Sequence, residues 1–333
     1  MRKVGFIGLK KQEQKFFAEA LGESFEILFY NDTSQLDESL EVLSIFINTK
    51  VDEALLAQLP KLRLIACRSA GVDHIDASAV RNRNITVTNT PGYGSSSVAE
   101  YTFALILSLS RKLPEIFHET YSNEPNRAKE QGFDLYGKTI GIVGLGNIGR
   151  SVAQIAYGFG MRILAYDVNE DEKLASWLKI EYVQDLDYLL KSSDIVTLHI
   201  PYTPENHHFI NLEKLSLMKP SALLINTARG SLVDSVALLK SLKNGHLAGA
   251  ALDVVEDEYL LDPDELIDLA TNQDHSARST IRHALALLAL ERLTNVIITN
   301  HNAYNTREAV EKINAMTAQN ITGFYKGAKI HRV

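Results

Sequence analysis

The run Thr139-Ile140-Gly141-Ile142-Val143-Gly144-Leu145-Gly146-Asn147-Ile148-Gly149 constrains this chain more than any other stretch. Thr139 to Val143 reads as a buried strand, and Arg150 to Tyr157 continues with the spacing of a helix. Between them each glycine has a mechanical task. Gly144 permits a tight turn, Gly146 leaves room for a pyrophosphate against the backbone, and Gly149 lets helix and strand approach. The amides that open the helix then face the phosphate charge. The next apolar run, Arg162 to Tyr166, ends on Asp167. A carboxylate there accepts hydrogen bonds from both ribose hydroxyls and repels a 2′-phosphate, so the pattern predicts NAD over NADP. Without a ligand, the same residues would be only a strand–helix turn. Gly5 and Gly8 lack the full pattern and are given no cofactor role.

A chain of 333 residues exceeds what one core usually organises. Apolar runs at Val4 to Ile7, Phe25 to Phe29, Leu43 to Ile47, Leu62 to Ala66 and Ile85 to Val87 have the rhythm of a small parallel α/β sheet. From Ser95 to about Leu113 a long helix follows, and the polar stretch from His118 to Gly132 reads as a surface connection. A second series supplies strands at Thr139 to Val143, Arg162 to Tyr166, Ile195 to Leu198, Ala222 to Ile225, Ala248 to Leu252 and Val296 to Ile298. The amphipathic segment Thr306 to Tyr325 would pack back on the first sheet. The expectation is an α/β protein of two domains. One is a Rossmann-type, doubly wound parallel sheet over residues 100–300 that binds NAD. The other is a smaller, flavodoxin-like substrate domain, discontinuous over 1–99 and 301–333.

A net charge of −7 disfavours nonspecific attraction to nucleic acid or to an anionic membrane. No apolar run approaches the roughly 20 residues of a membrane span, and the N-terminus reads as a first strand, not as a signal peptide. Cys67 is the chain's one cysteine and lies in an apolar run, so it is expected to be a buried thiol. The cytoplasm is the compartment these features lead one to expect.

Three polar residues stand where apolar strands end: Arg229, Glu258 and His301. The carboxyl ends of parallel strands form the ligand crevice, so the three are candidates to converge near a nicotinamide. The bland readings are a surface arginine, a helix N-terminal carboxylate and a satisfied histidine. The set suits reduction of a 2-oxo acid. Arg229 would grip the carboxylate with parallel hydrogen bonds, His301 would protonate the alkoxide, and Glu258 would fix the imidazole tautomer. His207-His208 invites a metal, but neighbours on a strand point to opposite faces and no third ligand is close in sequence, so no metal is expected. No Gly-x-Ser-x-Gly elbow supports a hydrolase.

Ordered motifs extend the pattern: Ser69-Ala70-Gly71-Val72-Asp73-His74-Ile75-Asp76, Thr90-Pro91-Gly92-Tyr93, Val98-Ala99-Glu100, Leu198-His199-Ile200-Pro201, Asn226-Thr227-Ala228-Arg229-Gly230, Leu252-Asp253-Val254 and His301. With the glycine turn, they resemble the D-isomer-specific 2-hydroxyacid dehydrogenase family over nearly the whole chain. The resemblance implies substrate contact at Ala70, Gly71, Tyr93 and Tyr304. It implies NAD contact at Gly144, Gly146, Asn147, Ile148, Gly149, Asp167, Ile200, Pro201, Asn206, Thr227, Ala228 and Asp253, with Asp253 on the nicotinamide amide. Arg229, Glu258 and His301 match the family's catalytic residues. Tyr93 and Tyr304 resemble the members that interconvert pyruvate and D-lactate; hydroxypyruvate, glyoxylate and bulkier 2-oxo acids are the alternatives. Another class is a non-catalytic NAD-sensing scaffold. The resemblance also implies a homodimer, although the helix from Ser95 would equally suit domain packing. Asn300 departs from the proline usual before the histidine, and Tyr259 follows Glu258 where proline is common.

Overall fold

Each apolar run before Val87 becomes a strand: β1 (Arg2–Ile7), β2 (Phe25–Tyr30), β3 (Val42–Ile45), β4 (Leu64–Cys67) and β5 (Thr86–Thr88). They pair in parallel in the order β2-β1-β3-β4-β5, the flavodoxin-like arrangement. Every residue of β3 and β4 is buried, as a central strand covered on both faces requires. One face packs Val4, Phe6, Val42 and Leu64 against Phe17 of the helix Lys11–Leu21 and Ile321 of the helix Arg307–Lys326. The latter helix is opened by Thr306, whose hydroxyl accepts from Ala309 N–H at 3.2 Å, and ends at Gly327 in the left-handed region. The other face holds Leu43, Ile45, Ile65 and Cys67. Burial pushes the Cys67 thiol up to about 12, which leaves it an inert core residue.

The computed structural model describes residues 1–121, 131–256 and 277–333. By its internal contacts the chain forms two units, Met1–Tyr93 with Asn305–Val333, and Gly94–Tyr304. The second is built on β6 (Thr139–Val143), β7 (Arg162–Tyr166), β8 (Ile180–Tyr182), β9 (Ile195–Leu198), β10 (Leu223–Asn226), β11 (Gly249–Leu252) and β12 (Val296–Ile298). All pair in parallel, in the order β12-β11-β10-β9-β6-β7-β8. The chain runs outward from β6 to β8, then returns to β9 on the other side of β6. That reversal opens a crevice at the carboxyl ends of β6 and β9, where such sheets bind ligands. Helices cover both faces, with Leu189, Leu215 and Leu238 in one core and Ile106, Val152 and Ala156 in the other.

Two expectations change. Strand β8 was not foreseen, because Ile-Glu-Tyr is too short to show a period and joins only at the sheet edge. The helix from Ser95 ends at Ser110, where Lys112 takes φ 57°, and a second helix runs Leu113–Tyr121. His118 to Tyr121 are therefore helical, not part of a polar connection. Among the described residues, no helix is long and apolar enough to cross a membrane.

Candidate active site

The glycine turn closes against its own sheet. Gly144 has φ 93° and donates its N–H to Tyr166 at 2.9 Å. A Cβ on Gly144 would lie 2.7 Å from the His199 carbonyl, and one on Gly149 would lie 2.0 Å from the Gly144 carbonyl. A Cβ on Gly146 would meet nothing within 4 Å, so the backbone there faces open space. The helix Asn147–Gly158 starts with no side chain capping it and no acid in its first turn, which leaves its opening amides to an anion. Asp167 is oriented by two backbone donors: Leu145 N–H to Oδ2 at 2.5 Å and Asn169 N–H to Oδ1 at 2.7 Å. A carboxylate offers about four acceptor sites, so capacity remains for ribose hydroxyls. The cradle fits a dinucleotide.

Beyond β9, the Asn206 side chain braces its own loop, donating to Pro201 O at 2.8 Å and accepting from Thr203 N–H at 2.8 Å. Ile200 and Pro201 follow directly on the strand end. His199 itself is structural. Its Nε2 shares a hydrogen bond with Thr197 Oγ1 at 2.9 Å, and burial pushes its pKa down to about 3, so the ring is neutral.

The loops after β10, β11 and β12 are interlocked. Asn226 is fully buried; its Oδ1 accepts from Ala228 N–H at 3.0 Å and its Nδ2 donates to Arg229 O at 2.8 Å, which fixes the turn carrying Arg229. The guanidinium donates to Ala228 O at 2.7 Å. Gly230 abuts the next loop so closely that a Cβ would lie 2.0 Å from the Val255 carbonyl carbon. Thr227 pairs with Thr102 Oγ1 at 3.1 Å. Asp253 is 1% exposed, and its carboxylate accepts from Thr299 Oγ1 at 2.7 Å, Asn302 N–H at 2.8 Å and Ala303 N–H at 2.9 Å. His301 N–H donates to the Asp253 carbonyl at 2.8 Å, and His301 takes φ 46°. The resemblance puts Asp253 on the nicotinamide amide; in the structure its carboxylate holds the His301 loop. Glu258 lies outside the described residues.

In the first unit, Ala70 is exposed and its carbonyl accepts from Asn89 Nδ2 at 2.7 Å, while Gly71 O accepts from Ser69 Oγ at 2.6 Å. Tyr93 is half-buried there, and Tyr304 is half-buried in the second unit. Asn226, Thr102 and Thr299 were not foreseen as site residues. Their one sequence signal is a polar side chain placed among apolar neighbours.

The expectation for His207-His208 also changes. The pair lies in a turn, not on a strand; His208 has φ 52°, and the rings stack with centroids 3.9 Å apart. Distant residues supply further donors, with Glu256 2.8 Å from His208 Nε2. The reasons for excluding a metal therefore fail.

Residues 103–303 match the family model described as D-isomer specific 2-hydroxyacid dehydrogenase, NAD binding domain. The chain belongs to that family. A glyoxylate reductase of Thermococcus litoralis is 37% identical over 86% of this chain and 81% of its own. The D-lactate dehydrogenase of Escherichia coli is 32% identical over 95% of each. Among solved structures, the Aquifex aeolicus D-lactate dehydrogenase complexed with NAD and lactic acid superposes with a TM-score of 0.84 at 38% identity, covering 97% of this chain and 96% of that one. As a member of this family, the protein is an NAD-dependent 2-hydroxyacid dehydrogenase.

Proposed function

We propose that this dehydrogenase interconverts pyruvate and D-lactate, with Arg229 as carboxylate clamp, His301 as proton donor and Glu258 as the partner that sets the imidazole tautomer. The observation that carries the catalytic assignment is the interlocked set of loops at the carboxyl ends of β10, β11 and β12, which fixes the turn of Arg229 and the loop of His301 on one rim of the NAD-binding sheet. Bound NADH supplies the hydride to the carbonyl carbon. Arg229 holds the substrate carboxylate by paired N–H donors and polarises the adjacent carbonyl. As charge builds on the carbonyl oxygen, His301 gives it a proton, and in the reverse direction takes one back. Asp253 keeps the His301 backbone in place. The resemblance adds substrate contacts from Ala70, Gly71, Tyr93 and Tyr304, and the two tyrosines favour pyruvate.

A second reading, glyoxylate or hydroxypyruvate as the oxo acid, is favoured by the Thermococcus litoralis relative. NADH oxidation rates across pyruvate, glyoxylate, hydroxypyruvate and bulkier 2-oxo acids, with chiral analysis of the products, separate the readings. Pyruvate is expected to show the highest kcat/KM and give D-lactate. Negligible pyruvate turnover beside rapid glyoxylate reduction would establish the second reading. NAD binding with no turnover of any acid would instead point to a sensing scaffold. A homodimer working in the cytoplasm completes the proposal, and sedimentation of the purified chain tests its oligomeric part.

A further inference from the structure

Four imidazole and carboxylate side chains, none of them used by the proposed reaction, meet at the loop that follows β11. Glu256 is 8% exposed, and its carboxylate meets imidazoles from two other elements. His208 Nε2 is 2.8 Å from Oε2, His207 Nε2 is 3.6 Å from Oε1, and His283 Nδ1, on the helix Ala277–Leu290, is 3.2 Å from Oε2. No lysine or arginine is paired with Glu256 among the described residues, so three imidazoles surround a buried carboxylate. Nearby, Asp234 Oδ1 is 3.9 Å from His283 Nε2.

We propose that His207, His208 and Glu256 form a binding site for a first-row divalent cation of the zinc class, with the His283 ring, 3.2 Å from the carboxylate, beside it as an orienting partner. The donor atoms of the three lie within 4.8 Å of one another. Ligands about 2.0–2.1 Å from a tetrahedral zinc stand about 3.3 Å apart, and the carboxylate–imidazole separations, 2.8 Å from Oε2 to His208 and 3.6 Å from Oε1 to His207, lie on either side of that edge. Two histidines and one carboxylate leave a fourth position to water, which suits the half-exposed face that His207 presents. Imidazole donors select zinc, cobalt or nickel over magnesium and calcium. The left-handed backbone of His208 serves the same end, because it turns two consecutive rings to one side. A bound cation would tie the loop after β9 to the loop after β11, two residues before Glu258 in sequence.

The test uses untagged full-length protein, stripped with a chelator and dialysed. Co²⁺ is titrated and followed by visible absorption, and Zn²⁺ is titrated in competition with a chromophoric chelator, with NAD binding measured in each sample as the check of folding. One ion per chain is expected, undisturbed by excess Mg²⁺, with affinity falling by about tenfold or more in His207→Ala, His208→Ala and Glu256→Gln. His207 is half-exposed, so its removal leaves the fold intact. His246→Ala, at an exposed histidine elsewhere, is expected to keep full uptake. Absence of stoichiometric uptake by the parent chain, or uptake undiminished in either single-histidine variant, overturns the proposal. Both outcomes are independent of which 2-oxo acid is reduced.

Discussion

The two sheets begin alike and diverge at two positions. In both, the first strand runs into a glycine with positive φ and then a helix: Gly8 before the helix Lys11–Leu21, and Gly144 before the helix Asn147–Gly158. Lys10 then stands where the larger unit has Gly146, and Glu13 where it has Gly149. In the smaller unit Glu13 reaches back and accepts the Lys10 N–H at 3.1 Å, so the helix start is satisfied from within the chain. In the larger unit no side chain does this, and Gly149 brings the helix onto the strand. The same strand–turn–helix shape thus becomes a capped helix start or an uncapped one suited to an anion, according to what completes its opening amides.

Five measurements would break or sharpen that contrast. The largest effect is expected for His301→Ala, which should reduce kcat by about 10²–10⁴-fold with NAD affinity nearly unchanged. Unchanged turnover in an NADH oxidation assay would remove His301 from the proton-donor role. Gly149→Ala forces a methyl onto the Gly144 carbonyl, an overpacking of about 1–3 kcal/mol. Fluorescence titration should show NAD binding weakened roughly ten- to hundredfold, and wild-type affinity would mean the turn opens without cost. Asp167→Ala is expected to weaken NAD by about tenfold while improving NADP; affinities for both unchanged from the parent would refute the ribose assignment.

The fourth measurement concerns the opposite rim of the larger sheet. Burial pushes the Asp194 carboxyl up, but the Lys219 ammonium at 2.8 Å and the Thr139 N–H at 2.9 Å outweigh it and hold the group below the usual carboxylate range. Because the unfolded chain binds that proton more readily, the stabilisation is present above about pH 4 and is lost as pH falls through the folded pKa. Asp194→Asn should cost about 1.5–3 kcal/mol at neutral pH, with the gap to the parent closing in acid and NAD binding unaltered. A gap that did not narrow in denaturant melts would show that packing, not charge, sets it. The smallest effect, about 0.5–1 kcal/mol, is expected for Glu13→Ala. It should lower thermal stability and leave NAD affinity alone; a change in affinity would contradict the division of roles between the two helix starts.

How much of this was legible in the sequence follows from the range of the interactions. The glycine turn and Asp167 were, because every contact that defines them joins residues near in sequence or at the ends of adjacent strands. The C-terminal helix was also readable, since Ala309, Ile313, Thr317 and Ile321 keep one buried stripe. The break at Lys112 was not, because apolar Leu113, Ile116 and Phe117 continue the helical rhythm past it. Asp253 is read from the resemblance as a contact to the cofactor amide; its further bonds to backbone amides about 50 residues away are what no local pattern announces. His207 and His208 were separated by assuming a strand, and a single left-handed residue reversed that geometry.

The final helix carries a consequence for the order in which the protein is made. Ile321 is fully buried in the core of the first sheet, yet it is translated only after residues 94–304. Domains usually mature in the order they leave the ribosome. Here the sequence of events is inverted: residues 94–304, which hold the stretch matching the NAD-binding family model and the loops of Arg229 and His301, have been made while the first sheet still lacks part of its core. A nascent chain stalled near residue 304 would therefore present a finished nucleotide-binding unit tethered to an unfinished first sheet, and loss of the turns around Ile321 would damage a sheet translated long before them.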